Sequence, residues 1–203
     1  MAIMVEPLCK LSVIYSHELA QLKMSVITKK ICLLGDFSVG KTSLIRRFIE
    51  DKFSDQYLST VGVKVSRKSL DIKQDFKIQK INLLIWDLEG HTRFKSITPT
   101  YLKGASGSII VGDLTRSSTL EGIKQHIDLS LQINPHGAIV VALNKADLIP
   151  REKLDKLIEL YCFNTYIQVI DAYVTSAKTG EYINEMFDKL SKNIFNATTT
   201  GIE

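Results

Sequence analysis

Cysteine is scarce in this sequence. There are three among 203 residues, Cys9, Cys32 and Cys162, with no pair close together and no C-x-x-C. That usage disfavours structural disulfides and thiolate zinc, and it fits a reducing, cytoplasmic setting. Cys32 lies in an apolar run and reads as a small core residue. Long apolar runs are missing as well: none approaches the roughly 18–20 residues that span a bilayer. Glu6, Pro7 and Lys10 interrupt the first residues early, which disfavours a signal peptide. The chain does not open Met-Gly and its last residues, TTTGIE, hold no cysteine. Neither N-myristoylation nor C-terminal prenylation is expected, so membrane contact is expected to be peripheral at most. The excess of positive charge is small, +4, and Lys and Arg are scattered rather than blocked. Nucleic acid is therefore not an expected partner.

What is present suits one soluble domain with a full core: 45% hydrophobic and 24% charged residues, no internal repeat and no low-complexity linker. Residues 1–28 form an N-terminal extension. In it Leu8, Leu11, Tyr15, Leu19 and Leu22 can share a helical face, and Met24 is an alternative start. The main domain is expected over 29–196, followed by a short polar tail, 197–203. Within it, strands and helices alternate. Lys30–Leu34 reads as a strand and Lys41–Ile49 as a helix. Val63–Ile72 and Phe76–Trp86 read as a hairpin turning at Lys73–Asp75. Ser108–Val111 and Ala138–Leu143 read as strands buried on both faces. Thr119–Ile133 and Arg151–Phe163 read as helices and Ile167–Val174 as a strand. Ile183, Met186, Phe187, Leu190 and Ile194 recur at helical spacing. The pattern predicts an α/β fold with a mostly parallel six-stranded sheet, one antiparallel edge strand, and helices on both faces.

Gly35–Thr42 reads GDFSVGKT, the pattern G-x-x-x-x-G-K-[ST], placed between a predicted strand and a predicted helix. Its glycines let successive N–H groups of Gly35, Asp36, Phe37, Ser38, Val39 and Gly40 wrap an anion, and the helix N-terminus adds positive potential. Lys41 can reach terminal phosphates and the Thr42 hydroxyl can ligate Mg2+. Asp87-Leu88-Glu89-Gly90 ends the hairpin. There Asp87 can hold Mg2+ through a water, and Gly90 can offer its N–H to a γ-phosphate. Asn144-Lys145-Ala146-Asp147 follows a buried strand. A carboxylate at Asp147 suits guanine, which alone presents N1–H and an exocyclic amine together; adenine would leave it unpaired. That conflicts with an ATP-using phosphotransferase. Lys145 can lay its stem along the base. Thr175-Ser176-Ala177-Lys178 follows the last strand, where the Ala177 N–H can donate to guanine O6.

With these four motifs in this order, residues 29–195 resemble the Ras superfamily of small GTPases, most closely its Rab branch. Tyr57-Leu58-Ser59-Thr60-Val61-Gly62-Val63 is similar to the first switch of that branch, and Trp86-Asp87 opens the second. The resemblance implies GTP or GDP with Mg2+, Thr60 as a further metal ligand, Phe53 packed against guanine, and Tyr57 closing over the phosphates. It also implies a monomer whose effector and regulator proteins read the loops around Asp55–Val65 and Gly90–Tyr101.

Two departures stand out. Phe37 occupies a loop position that the family usually gives to a small residue. Glu89-Gly90-His91 replaces the usual Ala-Gly-Gln. A ring at 37 would crowd the γ-phosphate and the attacking water, and neutral imidazole at His91 cannot orient water as an amide does. Glu89 could carry negative charge towards the phosphates, point outwards, or orient the water itself. Arg93 could reach the phosphates or serve as an ordinary switch-helix residue. Lys41, Gly90, His91 and Glu89 are the candidate catalytic groups. The expectation is a GTP-binding switch with slow intrinsic hydrolysis; the alternative is a non-cycling GTP-binding interaction module.

Overall fold

The computed structural model describes residues 26–54, 60–74, 77–90, 98–161, 163 and 165–201. Six strands form one sheet in the order β2-β3-β1-β4-β5-β6. They are β1 (Ile27–Leu34), β2 (Val63–Gln74), β3 (Lys77–Leu88), β4 (Gly107–Asp113), β5 (Ala138–Asn144) and β6 (Val169–Val174). Edge strand β2 runs antiparallel to β3, and the other neighbours are parallel. Strands β4 and β5 are buried at every residue, as their unbroken apolar runs predict for strands covered on both faces.

The helices are α1 (Lys41–Glu50), α2 (Thr98–Leu102), α3 (Ser117–Glu121), α4 (Ile123–Ile133), α5 (Arg151–Leu160) and α6 (Ile183–Thr199). Strand alternation sorts the core into two layers. Ile31, Leu33, Ile109, Val111 and Val140 face α1 and α6, where Leu44, Phe48, Met186, Phe187 and Leu190 pack. Phe48 stacks on Phe187 with centroids 3.9 Å apart. Cys32, Leu34, Ile110, Ile139 and Val141 face the other way, against Leu102, Leu120, Ile123 and Ile127. Burial pushes the Cys32 thiol up to about 12, with Lys30 opposing, so it sits in this core as an inert side chain.

Several boundaries differ from the sequence reading. The helix expected over Thr119–Ile133 begins at Ser117 and divides at Gly122, whose backbone stays near-helical at φ −70°. A Cβ there would lie 3.4 Å from the Asp36 carboxylate, in ordinary contact, so this helix runs close beside the Gly35–Thr42 loop. The last strand starts at Val169, because Ile167 is 90% exposed and belongs to the preceding loop. Helix α5 stops at Leu160, and α2 carries no clear apolar period and was not expected. The proposed N-terminal helical face lies outside the described residues. Among the described residues no helix is long and apolar enough to cross a membrane.

The four nucleotide motifs all lie at the carboxyl ends of strands. Gly35–Gly40 follows β1, Glu89 and Gly90 follow β3, Lys145–Asp147 follow β5 and Thr175–Lys178 follow β6. Open α/β sheets place their ligands at this edge.

Candidate functional site

The Gly35–Thr42 loop is held by its carbonyls. Lys41 Nζ donates to Gly35 O at 2.7 Å and Asp36 O at 2.9 Å. Arg116 Nη2 donates to Phe37 O at 2.9 Å, and Asn144 Nδ2 to Val39 O at 2.9 Å. Gly40 O begins the α1 ladder by accepting from Leu44 N at 2.9 Å. The loop turns through left-handed positions at Ser38 (φ 63°) and Gly40 (φ 101°). A Cβ on Gly40 would lie 2.3 Å from Asn144 Nδ2, so only glycine fits. Lys41 is 7% exposed. Burial lowers its pKa to about 8, while Asp87 and Asp36 oppose the shift.

A second cluster gathers oxygen atoms. Thr42 Oγ1 donates to Asp87 Oδ2 at 2.5 Å and lies 2.8 Å from Thr60 Oγ1, which in turn lies 3.2 Å from Asp87 Oδ2. The Asp87 side chain is buried and its Oδ1 has no hydrogen-bond partner among the described residues. Burial raises its pKa; bonds from Thr42 and Thr60 and the charge of Lys41 oppose that. Two hydroxyls gathered at Asp87 Oδ2 form, with that carboxylate, a set of hard oxygen ligands, which fits a small divalent cation completed by phosphate and water. No group of three His, Cys, Asp or Glu exists among the described residues to cage a metal by protein alone.

The base-recognition candidates lie across the same cleft, a cavity of about 560 Å³ lined by Phe37, Lys41, Thr42, Phe53, Thr60, Gly90, Asn144, Lys145, Asp147, Ala177 and Lys178, among others. Asn144 is the knot of this region. Its Oδ1 accepts from Ala177 N at 3.2 Å and from Thr175 Oγ1 at 3.4 Å, while its Nδ2 holds the Val39 carbonyl. The Ala177 N–H thus already has an acceptor. Ser176 Oγ donates to Asp147 Oδ1 at 2.6 Å and orients that carboxylate. Arg47 on α1 braces the loop from behind, donating to Ala177 O at 3.0 Å and Lys178 O at 2.6 Å.

Gly90 packs against the phosphate loop: a Cβ there would lie 2.6 Å from Asp36 O and from Lys41 Nζ. Glu89 takes up an arrangement outside the three expected. Its Oε2 accepts the Gly62 N–H at 2.6 Å, and its own N–H donates to Gly62 O at 3.0 Å. Its carboxylate is thereby committed to the segment before β2. The candidates Tyr57 and His91, and Arg93 beside them, lie outside the described residues.

Residues 30–147 match the protein family described as Ras of Complex, Roc, domain of DAPkinase. The Schizosaccharomyces pombe GTP-binding protein ypt5 is 35% identical over 170 residues, 83% of this chain and 78% of its own length. Ras-related protein Rab-22A of Homo sapiens is 34% identical over 173 residues, 84% of this chain and 86% of its own. Ras-related protein Rab-1C of Dictyostelium discoideum is 35% identical over 171 residues, 83% of this chain and 82% of its own. The chain belongs to the Rab branch of the Ras-superfamily small GTPases.

In this small GTPase several residues of the site escaped the sequence reading, among them Asp113 at the end of β4, Thr115 and Arg116 just after it, and His126 on α4. Asp113 is fully buried, and its carboxylate pairs with Lys145 Nζ at 2.6 Å and Arg116 Nε at 2.8 Å. Thr115 adds a hydroxyl bond at 2.6 Å and a backbone bond at 3.0 Å. Burial pushes the Asp113 carboxyl up, but Lys145, Thr115 and Arg116 more than offset this and hold it below the usual range. His126 Nε2 on α4 lies 3.1 Å from Asp36 Oδ1. One signal was available: an aspartate ending a fully buried strand must find a partner, and Arg116 stands three residues on. Lys145, read as a stem lying along the base, also anchors its ammonium on Asp113.

Proposed function

We propose that this small GTPase is a GTP-dependent switch that hydrolyses GTP slowly and engages partner proteins through its two switch loops, as a cytoplasmic monomer. The amides of the Gly35–Thr42 loop and Lys41 bind the phosphates. Asp147 pairs with guanine N1–H and the exocyclic amine, which excludes ATP. Thr42 and Thr60, with Asp87 through a water, would hold Mg2+; when bound, it neutralises charge building on the phosphate oxygens. The γ-phosphate would draw Thr60 and Gly90 together, and its loss would release their loops.

The observation that carries slow hydrolysis is Phe37. It is 39% exposed and lines the cleft together with Lys41 and Gly90, the residues that would flank a terminal phosphate. Catalysis of phosphoryl transfer rests on water placement and on charge stabilisation at that end, so bulk there removes the space both need. Glu89, a candidate for orienting the water, has its carboxylate bonded to the Gly62 amide instead. Single-turnover hydrolysis of pre-bound GTP, followed by chromatography of the bound nucleotide, tests this. Decay as fast as an efficient unassisted small GTPase refutes it.

The Glu89–Gly62 tie favours a second reading, a GTP-binding interaction module that never cycles, because it joins the switch segments by protein contact alone. The same time course separates the two. GTP that persists indefinitely supports the module; slow but complete conversion to GDP supports the switch.

A further inference from the structure

The phosphate loop works only if its N–H groups face the cleft. In a trans peptide the C=O and N–H of one unit point in opposite directions, so anchoring a carbonyl outwards aims the next N–H inwards. Asn144 does this at Val39 O and so aims the Gly40 amide. The Phe37–Ser38 unit is harder to hold, because Ser38 is a non-glycine residue at φ 63°, in the left-handed region. Its carbonyl is the one that Arg116 Nη2 grips at 2.9 Å.

Arg116 is itself fixed. Its Nε donates to Asp113 Oδ2 at 2.8 Å, and its side chain is 40% exposed while that of Asp113 is fully buried. The guanidinium therefore spans two acceptors, a carboxylate below and a loop carbonyl above. A planar fork can make that bridge; a single ammonium cannot make both bonds in the same geometry. The same Asp113 Oδ2 takes Lys145 Nζ at 2.6 Å, and Lys145 lines the base end of the cleft. One buried carboxylate thus joins the side chain at the base to the side chain that sets a phosphate-loop peptide.

We infer that Arg116 is a positioning residue for the phosphate loop of this GTPase, that it acts by presenting the Ser38 N–H to bound phosphate, and that Asp113 couples it to the base-binding Lys145. This rests on the nucleotide reading above. The contacts are charge-assisted and their anchor is dry, so they survive in the bound state and act on nucleotide release more than on capture.

The test is release of a fluorescent N-methylanthraniloyl-GDP from the full chain with Mg2+ present, chased by excess GDP. Arg116→Ala should accelerate release about tenfold, the value of one charge-assisted hydrogen bond, with the association rate little changed. Arg116→Lys should release as fast as Arg116→Ala, because it keeps the charge and loses the bridge. Asp113→Asn should accelerate release at least as much, and adding Arg116→Ala to it should change nothing further. EDTA-stripped Arg116→Ala should keep the parental far-ultraviolet circular dichroism and a single cooperative melt, which a general loss of structure would not allow. Wild-type release by Arg116→Ala or Arg116→Lys overturns the inference. So do additive effects of Arg116→Ala and Asp113→Asn, which would show that they act separately. If Asp113→Asn does not fold, the pair of Arg116 variants alone decides. Failure of the parent protein to bind the fluorescent GDP at all would instead overturn the nucleotide reading itself.

Discussion

The Glu89 carboxylate accepts the Gly62 amide proton at 2.6 Å, one residue before β2, while the Glu89 amide donates back to the Gly62 carbonyl at 3.0 Å. The register pairs Val63 with Leu88, so this exchange adds one further rung to the β2–β3 ladder, with a side chain supplying one of its two bonds. The alanine usual in the family has no acceptor there. A hydrogen bond to a charged group contributes about 1.5–3 kcal/mol net. Glu89→Ala should therefore speed hydrogen exchange of the Gly62 amide in the GDP complex by about tenfold or more, as read by NMR. An unchanged exchange rate would mean that the ladder, not the carboxylate, protects that amide.

The Phe37 ring and His91 are argued to slow hydrolysis by different routes, one by bulk and one by poor alignment of water. Phe37→Gly should accelerate single-turnover hydrolysis, and His91→Gln added to it should accelerate it further, together by about 10²-fold, within the range that such positioning groups contribute. Phosphate release from pre-bound GTP measures this. If neither substitution changes the rate, both residues leave the explanation.

Much of the fold was readable because its strands announce themselves. The Ile109–Val111 and Val140–Ala142 runs are apolar on both faces, and the sheet covers both. Four nucleotide motifs were readable because each is a run of consecutive residues whose chemistry is local. What stayed hidden is relational. Arg116 and Phe37 are 79 residues apart, and His126 and Asp36 are 90 apart. No spacing rule joins them; only closure of the sheet puts the segment after β4 beside the loop after β1. Glu89 was misread for a different reason. Its direction depends on a one-rung extension of strand pairing to Gly62, a partner 27 residues away that no local pattern names.

The oxygen cluster of Thr42, Thr60 and Asp87 predicts a specific magnesium defect. Asp87 is 2% exposed and its Oδ1 has no partner among the described residues, so a carboxylate oxygen stands ready to accept from a metal-bound water. Asp87→Asn keeps the shape and removes the charge. It should lower Mg2+ affinity about 10–100-fold, the usual effect of losing an outer-sphere partner. A Mg2+ titration of GDP release reports this directly: the midpoint should move to higher Mg2+ while release in EDTA stays near the parental rate. A midpoint that does not move would remove Asp87 from the metal site.

Asp113 gives the acid limb of stability a definite sign. Burial alone would raise its pKa, but Lys145, Thr115 and Arg116 hold the folded value below that of an unfolded aspartate. Between the two values the unfolded chain binds more protons than the folded one, so stability rises with pH there. The contribution is complete above the ordinary aspartate value of about 3.9 and is lost as pH falls through the lower folded value. Asn at this position cannot titrate. The urea midpoint of wild type should therefore exceed that of Asp113→Asn by most at pH 6, and the gap should narrow steadily as the pH falls below about 4. A gap of constant size down to the acid transition would show that Asp113 holds Arg116 and Lys145 by shape and hydrogen bonding alone, and that its charge adds nothing.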